Sequence, residues 1–577
     1  MSVILGINSF HASASAALVI DGRLVAAIPE ERLNRVKYYA GFPKLAIAEC
    51  LRIGGLTISD VEHVALGRDP AANRGRKIAY AARQVRYWPN FLRMLGKKRR
   101  LQGLTELFAD QFGTDAARLR FQVAHVEHHQ AHIASSYYTS PWDHAAGLSV
   151  DGSGDFVTVM MAECAGHDIR VKHRIYVPHS LGTLYTMVCE FIGFTGYGDE
   201  GKVMGLAPYG GDTYRAAFDE IVRFTAEGFE LNPRFFQDFG SNAGFEIDEK
   251  GEVRVAHAYT DEVVRRLGAP RLPRTAITQR DNDVAFGVQA LFERTFMHLL
   301  RVLHGKVPET RVALAGGCVL NSVANGKLFA ETPFRETAIH PAAGDDGLAV
   351  GAALHVSHGI LRQERKFQPT QAYLGQEFTD EQIRGELERR GVRADRLGRS
   401  DLIHRTVDEI EAGNVIGWFQ GRMEWGPRAL GNRSILAHPG RKEMKATLNA
   451  RIKLREPFRP FAPAVLAERQ AEIFEHDHPS PYMLHVYKIR PEWRDRLCTV
   501  NHADNTGRLQ SVAREENPLY YDLIRAFGER TGIPVLVNTS FNENEPIVCT
   551  PAEAVDCYLR TKMDALVIGS YFCRKTG

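Results

Sequence analysis

Two histidines spaced four residues apart, His128 and His132, are the first candidates for chemistry in this sequence. On a helix this spacing places both imidazoles on one face about one turn apart, where they can bind a single metal ion. The run Asp151-Gly-Ser-Gly-Asp155 lies between two apolar stretches. It predicts a strand, a tight glycine turn suited to close approach of a phosphate, and a returning strand. A histidine pair near such a turn indicates an enzyme that handles a nucleotide in the presence of a metal.

The composition is that of a soluble globular protein with more than one domain. A chain of 577 residues is too long for a single core, and its apolar and charged contents of 44% and 24% are ordinary. The net charge of +3 is small for this length and does not favour a nucleic-acid partner. The eight cysteines include no Cys-x-x-Cys pair, so neither a disulfide framework nor a zinc knuckle is indicated.

No run of apolar residues is long enough to span a membrane, and the N-terminus lacks the basic region of a signal peptide. A cytoplasmic enzyme without a membrane partner is therefore expected.

The first forty residues predict a β-meander. Residues 3–7, 16–20 and 24–28 are apolar and rich in β-formers, and Asp21-Gly22 is typical of a type I′ hairpin turn. His11 follows the first predicted strand in a loop of small residues. Such a histidine either lines a ligand site or belongs to an ordinary turn.

Two more glycine turns follow further along the chain. Residues 311–321 predict a strand, a turn through Gly316-Gly317, and a helix whose N-terminus can bind an anion or a nucleotide. The pattern recurs in residues 339–347, before a helix of small residues. Three such turns and the N-terminal meander are typical of the actin-like architecture, in which two related α/β halves clamp a nucleotide.

Two basic regions differ in the residues that surround their lysines and arginines. Residues 68–120 predict helices whose lysines and arginines form either a solvated face or a surface for an acceptor or partner. After a predicted linker at residues 365–370, arginines lie among glycines and prolines, which predicts fixed loops that present guanidinium groups. Arginine binds phosphate in a bidentate manner, although ordinary surface ion pairs are the alternative.

Four strings carry a resemblance to a known family: GKVMGLAPYG from Gly201, GRMEWGPRALGNRSILAHP from Gly421, KLREPFRPFAP from Lys453, and NTSFN from Asn538 with EPIV shortly after. Over nearly its whole length the chain resembles the O-carbamoyltransferases, which include the tobramycin and nodulation-factor carbamoyltransferases. The resemblance implies an α/β and α+β protein. Residues 1–360 are expected to form an actin-like ATPase domain related to the tRNA threonylcarbamoyladenosine transferase, and residues 370–577 a YrdC-like domain.

The resemblance also implies the reaction. Carbamoyl phosphate and ATP with Mg²⁺ would meet in the C-terminal domain and form a carbamoyl-adenylate, with release of pyrophosphate and phosphate. The N-terminal domain would then transfer the carbamoyl group to a hydroxyl of a small-molecule acceptor, such as a natural product or a sugar. A monomer or a homodimer is expected.

Carried over by position, the family's metal ligands fall on His128, His132, Asp151 and Asp345. Two imidazoles and two carboxylates suit Fe²⁺, the family's usual metal, or Mn²⁺ or Zn²⁺. Asp346 is an alternative to its neighbour, and the pair His125 and His129 has the same helical spacing. These alternatives stay open at this point.

The expected catalytic residues are His11, Lys202 and Arg508. His11 falls on the family's candidate base. Many relatives continue with an acid where this chain has Ala12-Ser13, so a role of that acid does not carry over to this chain. The candidate cofactor-binding residues come from the glycine turns of the first domain and, by resemblance, from the second domain. They are Gly152, Ser153, Gly154, Gly316, Gly317, Asn321, Arg428, Lys453, Arg459, Arg508, Asn538 and Ser540.

Three other functions compete with this interpretation. A relative with a tRNA or protein acceptor is disfavoured by the modest charge and by the absence of Cys-x-x-Cys zinc fingers. An actin-fold kinase for small molecules would not need the arginine loops after residue 420. A non-catalytic actin-fold binding protein would be marked by loss of the metal ligands, and all four candidates are present.

Overall fold

The computed structural model describes residues 2–83, 103–237, 245–248, 250–368 and 372–575. The chain divides into two compact units. The first comprises Met1–Glu31 and Tyr38–Phe367, and the second comprises Arg32–Lys37 and Gln368–Gly577. The short segment Arg32–Lys37 thus belongs to the second unit, although its position in the sequence is within the range expected for the N-terminal domain.

The described strands of the first unit are β1 (Val3–Asn8), β2 (Ser15–Ile20), β3 (Arg23–Pro29), β4 (His63–Leu66), β5 (Gln122–His125), β6 (His144–Gly154), β7 (Val157–Ala165), β8 (Asp168–Tyr176), β9 (Val222–Thr225), β10 (Gly228–Leu231), β11 (Phe245–Ile247), β12 (Val253–Val255), β13 (Arg311–Ala315) and β14 (Glu336–Ile339). Most of them form two five-stranded sheets, in the orders β3-β2-β1-β4-β5 and β8-β7-β6-β13-β14. In each sheet the first three strands are antiparallel and the last two run parallel to the central strand. One topology therefore occurs twice, which confirms the actin-like architecture.

Helices join and cover these strands. They are Lys44–Gly54, Arg74–Arg83, Leu104–Phe112, His128–Tyr137, Leu181–Phe191, Glu200–Leu206, Arg215–Asp219, Asp261–Leu267, Gln279–Lys306, Ser322–Glu331 and Leu348–Leu354. The short helix Glu31–Asn34 begins with the last residue of the segment Met1–Glu31 and continues into the segment assigned to the second unit. The helix Leu348–Leu354 is fully buried, as its run of small apolar residues requires. Among the described helices of the whole chain, none has the length and apolar content needed to cross a membrane.

The N-terminal meander is confirmed by β1, β2 and β3. Asp21 and Gly22 have φ values of 47° and 77°, as a type I′ turn requires. In the basic region the helices Arg74–Arg83 and Leu104–Phe112 are present. Residues 84–102, which include Arg86, Arg93 and the basic cluster 97–100, lie outside the described part of the chain.

The Asp151-Gly-Ser-Gly run does not form the turn that its glycines suggested. Strand β6 continues to Gly154, with an irregular pairing between Val150 and Gly154. The turn lies at Asp155 and Phe156, whose φ values are 49° and 76°. The prediction was wrong here because glycines also mark bulges, where an extra residue leaves the strand pairing.

The second unit contains β15 (Asp395–Arg396), β16 (Ile416–Phe419), β17 (Arg433–Ala437), β18 (Ala462–Leu466), β19 (Val486–Lys488), β20 (Thr506–Arg508), β21 (Gln510–Val512), β22 (Val535–Ser540), β23 (Ala565–Ile568) and β24 (Tyr571–Arg574). Eight of them form a mixed sheet in the order β15-β24-β23-β16-β17-β22-β18-β21, and β19 pairs with β20. The α-helices are Asp380–Arg389, Arg399–Ala412, Met444–Thr447, Gln470–Ile473, Pro518–Thr531 and Pro551–Arg560. This is the mixed α/β class expected for the C-terminal domain.

Candidate metal centre and anion site

Four side chains of the first unit converge on one point. The ligand atoms of His128, His132, Asp151 and Asp345 all lie within 4.8 Å of one another. The two Nε2 atoms are 3.1 Å apart. His128 Nε2 lies 3.1 Å from Asp151 Oδ2, and His132 Nε2 lies 3.4 Å from Asp345 Oδ1. Two imidazole nitrogens and two carboxylate oxygens at these distances fit a single Fe²⁺, Mn²⁺ or Zn²⁺ ion.

Three elements of the fold supply these residues. His128 begins the helix His128–Tyr137, and His132 follows one turn later on the same face. Asp151 lies in the irregular end of β6, and Asp345 begins a 3₁₀ turn shortly after β14. Strands β6, β13 and β14 run parallel, so the acid at the end of β6 and the acid after β14 meet at one edge of the sheet.

Asp151 is fixed in place by the turn after β13. Its Oδ1 accepts the backbone N–H of Gly317 at 3.0 Å, which leaves Oδ2 directed to the histidines. The preceding Gly316 has φ 94°, and a Cβ there would lie 2.2 Å from the carbonyl oxygen of Val150. Only glycine suits this position, because the backbone of the turn must approach β6 so closely.

His128 is fixed at its backbone and at its ring. Its N–H donates to Asp155 Oδ2 at 2.9 Å, and the same oxygen accepts the N–H of Asp69 at 2.8 Å. A Cβ on Gly154 would lie 2.0 Å from Cγ of His128. The absence of a side chain at Gly154 therefore makes room for the imidazole.

The charges of the cluster depend on one another. Burial opposes ionisation of Asp151, but hydrogen bonds from His128 and His132 outweigh it and hold the pKa of that carboxyl well below its usual range. Burial also lowers the pKa of His132, yet Asp151 and Asp345 outweigh it and raise the pKa to about 9. Two buried carboxylates thus require a positive charge between them, which a divalent cation can supply.

His11 lies beside this cluster. Its Nδ1 is 2.8 Å from Asp345 Oδ2, and its ring centroid is 5.9 Å from that of His128. Burial is the main reason that the pKa of His11 is lowered. With 24% of its side chain exposed, His11 can reach a ligand from solvent.

The alternative ligands do not join the cluster. His125 is exposed, and its Nδ1 lies 3.1 Å from the carbonyl oxygen of Arg68. Both ring nitrogens of His129 are already used, since Nδ1 lies 2.9 Å from Ser149 Oγ and Nε2 2.9 Å from the carbonyl oxygen of Val157. Of the two adjacent acids, Asp345 is the one whose carboxylate is placed among the histidines.

Two other residues expected to act in the first unit, Lys202 and Asn321, have contacts elsewhere. Lys202 Nζ lies 2.7 Å from Asp199 Oδ1, and the lysine is not one of the four converging residues. The amide of Asn321 accepts from Ala324 N–H and exchanges hydrogen bonds with Gln289, so it caps the helix Ser322–Glu331. Nucleotide contacts of Lys202 and Asn321, and of the residues Gly152, Ser153, Gly154, Gly316 and Gly317, stay predictions.

Sequence reasoning missed Tyr197. Burial is the main reason that the pKa of its phenol is raised well above its usual range, and the charges of Asp345 and Asp151 add to this effect. Tyr197 also packs edge-on against Tyr38, with ring centroids 4.9 Å apart. No local pattern marks this tyrosine, because its proximity to the acids arises from long-range folding.

A substitution at Gly154 should weaken metal binding without unfolding the protein. Gly154→Ala should displace the His128 ring and lower metal affinity by about 10–100-fold, the range typical when a supporting contact is lost. Gly152→Ala is the matched control, because nothing lies within 4 Å of a Cβ there. Elemental analysis after dialysis, with a melting curve for each variant, measures both effects. Equal metal contents in the two variants would contradict this placement of His128.

The second unit carries a cluster of arginines. Burial lowers the pKa of Arg508 well below its usual range, and Arg428, Arg455 and Arg459 lower it further. No carboxylate among the described residues forms an ion pair with Arg508. Guanidinium groups held together in this way repel one another unless an anion lies between them. The cluster therefore fits a ligand with several negative charges, such as a phosphate ester.

Lys453 and Ser540, both expected at this site, contact each other. Lys453 Nζ donates to Ser540 Oγ at 3.2 Å, and to the carbonyl oxygen and Oδ1 of Asn542 at 2.8 and 2.7 Å. The lysine thus orders the loop after β22. Asn538 donates from Nδ2 to Gln510 Oε1 at 2.8 Å, whereas its buried Oδ1 has no hydrogen-bond partner in the described part of the chain. That oxygen can accept an N–H group of a ligand.

Arg455 was not selected from the sequence, although it lies in the string that starts at Lys453. Its Nε donates to Asn449 Oδ1 at 2.8 Å, and its guanidinium lies 4.7 Å from the ring centroid of Phe461. Burial is the main reason that its pKa is lowered to about 9, and Arg459 lowers it further. Its position between two other basic residues of the string could have identified it.

Comparisons with known proteins match both units of this chain to carbamoyltransferases or to their relatives. The family model described as carbamoyltransferase N-terminus matches residues 3–354, and the one described as carbamoyltransferase C-terminus matches residues 407–575. The uncharacterized protein sll1178 of a Synechocystis species is 38% identical, over 100% of this chain and 97% of its own. The nodulation protein NolNO of Sinorhizobium fredii is 36% identical, over 98% of this chain and 80% of its own. The nodulation protein NolO of Bradyrhizobium diazoefficiens is 37% identical, over 78% of this chain and 79% of its own.

Among solved structures, HypF of T. kodakarensis aligns with 63% of this chain and 48% of its own at 14% identity, and the TM-score of 0.32 is too low to argue from. The family models and the relatives decide the assignment. The chain belongs to the carbamoyltransferase family.

Proposed function

We propose that this carbamoyltransferase is ATP-dependent and makes a carbamoyl-adenylate before it transfers the carbamoyl group to a hydroxyl. The main support is that each unit has a cluster of side chains of the kind that one of the two steps would need. In the second unit Arg508 lies near three other arginines, and no described carboxylate forms an ion pair with it. The first unit has four nitrogen and oxygen ligands that fit one cation.

The second unit would bind carbamoyl phosphate and ATP, the latter with Mg²⁺. Arg428, Arg459 and Arg508 would hold phosphate oxygens and stabilise the charge that develops as phosphate and pyrophosphate leave. Asn538 Oδ1 would accept an N–H of the carbamoyl group. This contact would select against an acetyl group, which has no N–H to donate.

The first unit would carry out the transfer. His128, His132, Asp151 and Asp345 would hold Fe²⁺, with Mn²⁺ and Zn²⁺ as alternatives, and the ion would supply Lewis acidity. His11 would accept the proton of the acceptor hydroxyl at Nε2, because its Nδ1 is directed to Asp345. The acceptor would be a small molecule, since the net charge of +3 does not favour a nucleic acid.

A His11→Ala variant separates the two steps. With carbamoyl phosphate and MgATP it should still release pyrophosphate, because the arginine site is unchanged. Its transfer of the carbamoyl group should fall by about 10²–10⁴-fold, the usual contribution of a general base. Mass spectrometry of an acceptor library, scored for gain of one carbamoyl group, measures the transfer, and an enzyme-coupled assay measures pyrophosphate.

The control is His144→Ala, because His144 is exposed at the other end of β6. Equal losses in both assays for His11→Ala would exclude its assignment to the transfer step. Production of ADP instead of pyrophosphate by the unmodified protein would contradict adenylate formation and favour a kinase.

A further inference from the structure

The proposed first step consumes a water molecule. Carbamoyl phosphate contains one bridging oxygen, in its C–O–P link. The triphosphate of ATP contains two, in its P–O–P links. The products, a carbamoyl-adenylate, phosphate and pyrophosphate, retain one C–O–P link and one P–O–P link. One bridge is therefore hydrolysed, and the attacking water must give its proton to a group at the site.

His502 lies in a tight turn before β20 and is held by its neighbours in that turn. Its backbone N–H donates to the carbonyl oxygen of Thr506 at 2.9 Å. Its Nδ1 lies 3.1 Å from Thr506 Oγ1. The same hydroxyl donates to Asp504 Oδ1 at 2.7 Å. Asp504, Thr506 and His502 thus form a chain of hydrogen bonds.

These hydrogen bonds determine the tautomer of the His502 imidazole. A carboxylate oxygen only accepts, so the single proton of the Thr506 hydroxyl is directed to Asp504. The hydroxyl oxygen must then accept a proton from His502, which places that proton on Nδ1. Nε2 of the neutral ring is left with a lone pair. This atom is buried and has no hydrogen-bond partner among the described residues.

The ring lies next to the arginine cluster. Thr506 and Arg508 are two residues apart in β20, so their side chains are on the same face of the strand. The charged groups that act on His502 are Asp504, Arg508 and Lys445. Burial is the main reason that its pKa is lowered to about 4, so the ring is neutral at physiological pH.

We propose that His502 Nε2 accepts the proton of the water that hydrolyses carbamoyl phosphate at the arginine site. This inference rests on the proposed function. The water oxygen bonds to the carbonyl carbon, which carries no charge, whereas the phosphate dianion repels a nucleophile. The C–O bond to phosphate breaks, and its electron pair stays on the phosphate oxygen.

His502 returns the proton to that oxygen, so the products are carbamic acid and hydrogen phosphate. The carbamic acid loses its proton to solvent. A carbamate oxygen then bonds to the α-phosphorus of ATP as the bond to pyrophosphate breaks.

The first test is His502→Asn. The asparagine amide can still donate to Thr506 from near the position of Nδ1, but it has no group in place of Nε2. Release of phosphate and pyrophosphate should each fall by about 10²–10⁴-fold, with the KM for ATP little changed. His404→Asn is the matched control, because His404 is exposed on the helix Arg399–Ala412, and its rates should equal those of the unmodified protein.

Two further readouts distinguish proton transfer from a structural role, and a third locates the atom that water attacks. Added imidazole should restore part of the rate to His502→Ala and none to Arg508→Ala. Thr506→Val should lower the rate, because loss of the hydroxyl frees the ring to take either tautomer, and Thr506→Ser should retain it. In H₂¹⁸O the phosphate released should carry no label, because water bonds to carbon.

Unchanged rates in His502→Asn, or labelled phosphate, would overturn the proposed role of His502. Neither result would contradict the formation of a carbamoyl-adenylate. If the unmodified protein releases no pyrophosphate, the proposed function itself fails.

Discussion

Replacement of His132 by alanine should remove the metal from the first unit. The side chain is fully buried, and its Nε2 lies 3.1 Å from Nε2 of His128 and 3.4 Å from carboxylate oxygens of Asp151 and Asp345. No other side chain of the cluster can replace this nitrogen. We expect metal content to fall from about one ion per chain to about a tenth of that or less, and carbamoyl transfer to be lost. Elemental analysis of the purified variant measures the first effect.

His125→Ala is the control for this experiment. It removes a histidine of the competing pair, but that residue is exposed and lies outside the cluster. Its metal content should equal that of the unmodified protein. Full metal in His132→Ala, or loss in His125→Ala, would exclude the assigned ligands.

Replacement of Arg508 by alanine should lower the rate of pyrophosphate release by about 10²–10³-fold. This guanidinium lies among Arg428, Arg455 and Arg459, and its pKa is held low, by burial first and then by those charges. Removal of one preorganised donor from such a site typically costs about 10²–10³-fold in rate. Steady-state assays with carbamoyl phosphate and MgATP measure the loss, and the metal content of the first unit should not change.

Arg514→Ala is the matched control, because that arginine is more than half exposed and pairs with Asp522 at the surface. Arg508→Lys should recover little activity, since an ammonium group does not reproduce the bidentate geometry. Full pyrophosphate release by Arg508→Ala would contradict the location of the adenylate-forming site.

Features that depend on local spacing could be predicted from the sequence. The four-residue spacing of His128 and His132 and the strand patterns of the meander each refer to neighbours within a few residues. The sequence could not choose between Asp345 and Asp346. Only the fold shows that the turn after β14 directs the carboxylate of Asp345 to the histidines.

Features that depend on long-range packing were misjudged or missed. Gly154 was interpreted as part of a phosphate turn, whereas the ring of His128, twenty-six residues earlier, requires it to have no side chain. Tyr197 also lies beside charged groups that come from distant segments. A glycine or an arginine has several structural uses, and periodicity does not distinguish between them.

The most direct test of the two-site assignment is the pyrophosphate released in a single turnover by His132→Ala. A rapid-quench experiment with carbamoyl phosphate and MgATP should show a burst of about one pyrophosphate per chain, because the arginine site is intact and only transfer is blocked. Arg508→Ala in the same experiment should show none. Two results would contradict the assignment of adenylate formation to the arginines and of transfer to the metal. One is a His132→Ala protein with a folded second unit and no burst of pyrophosphate. The other is a burst of ADP.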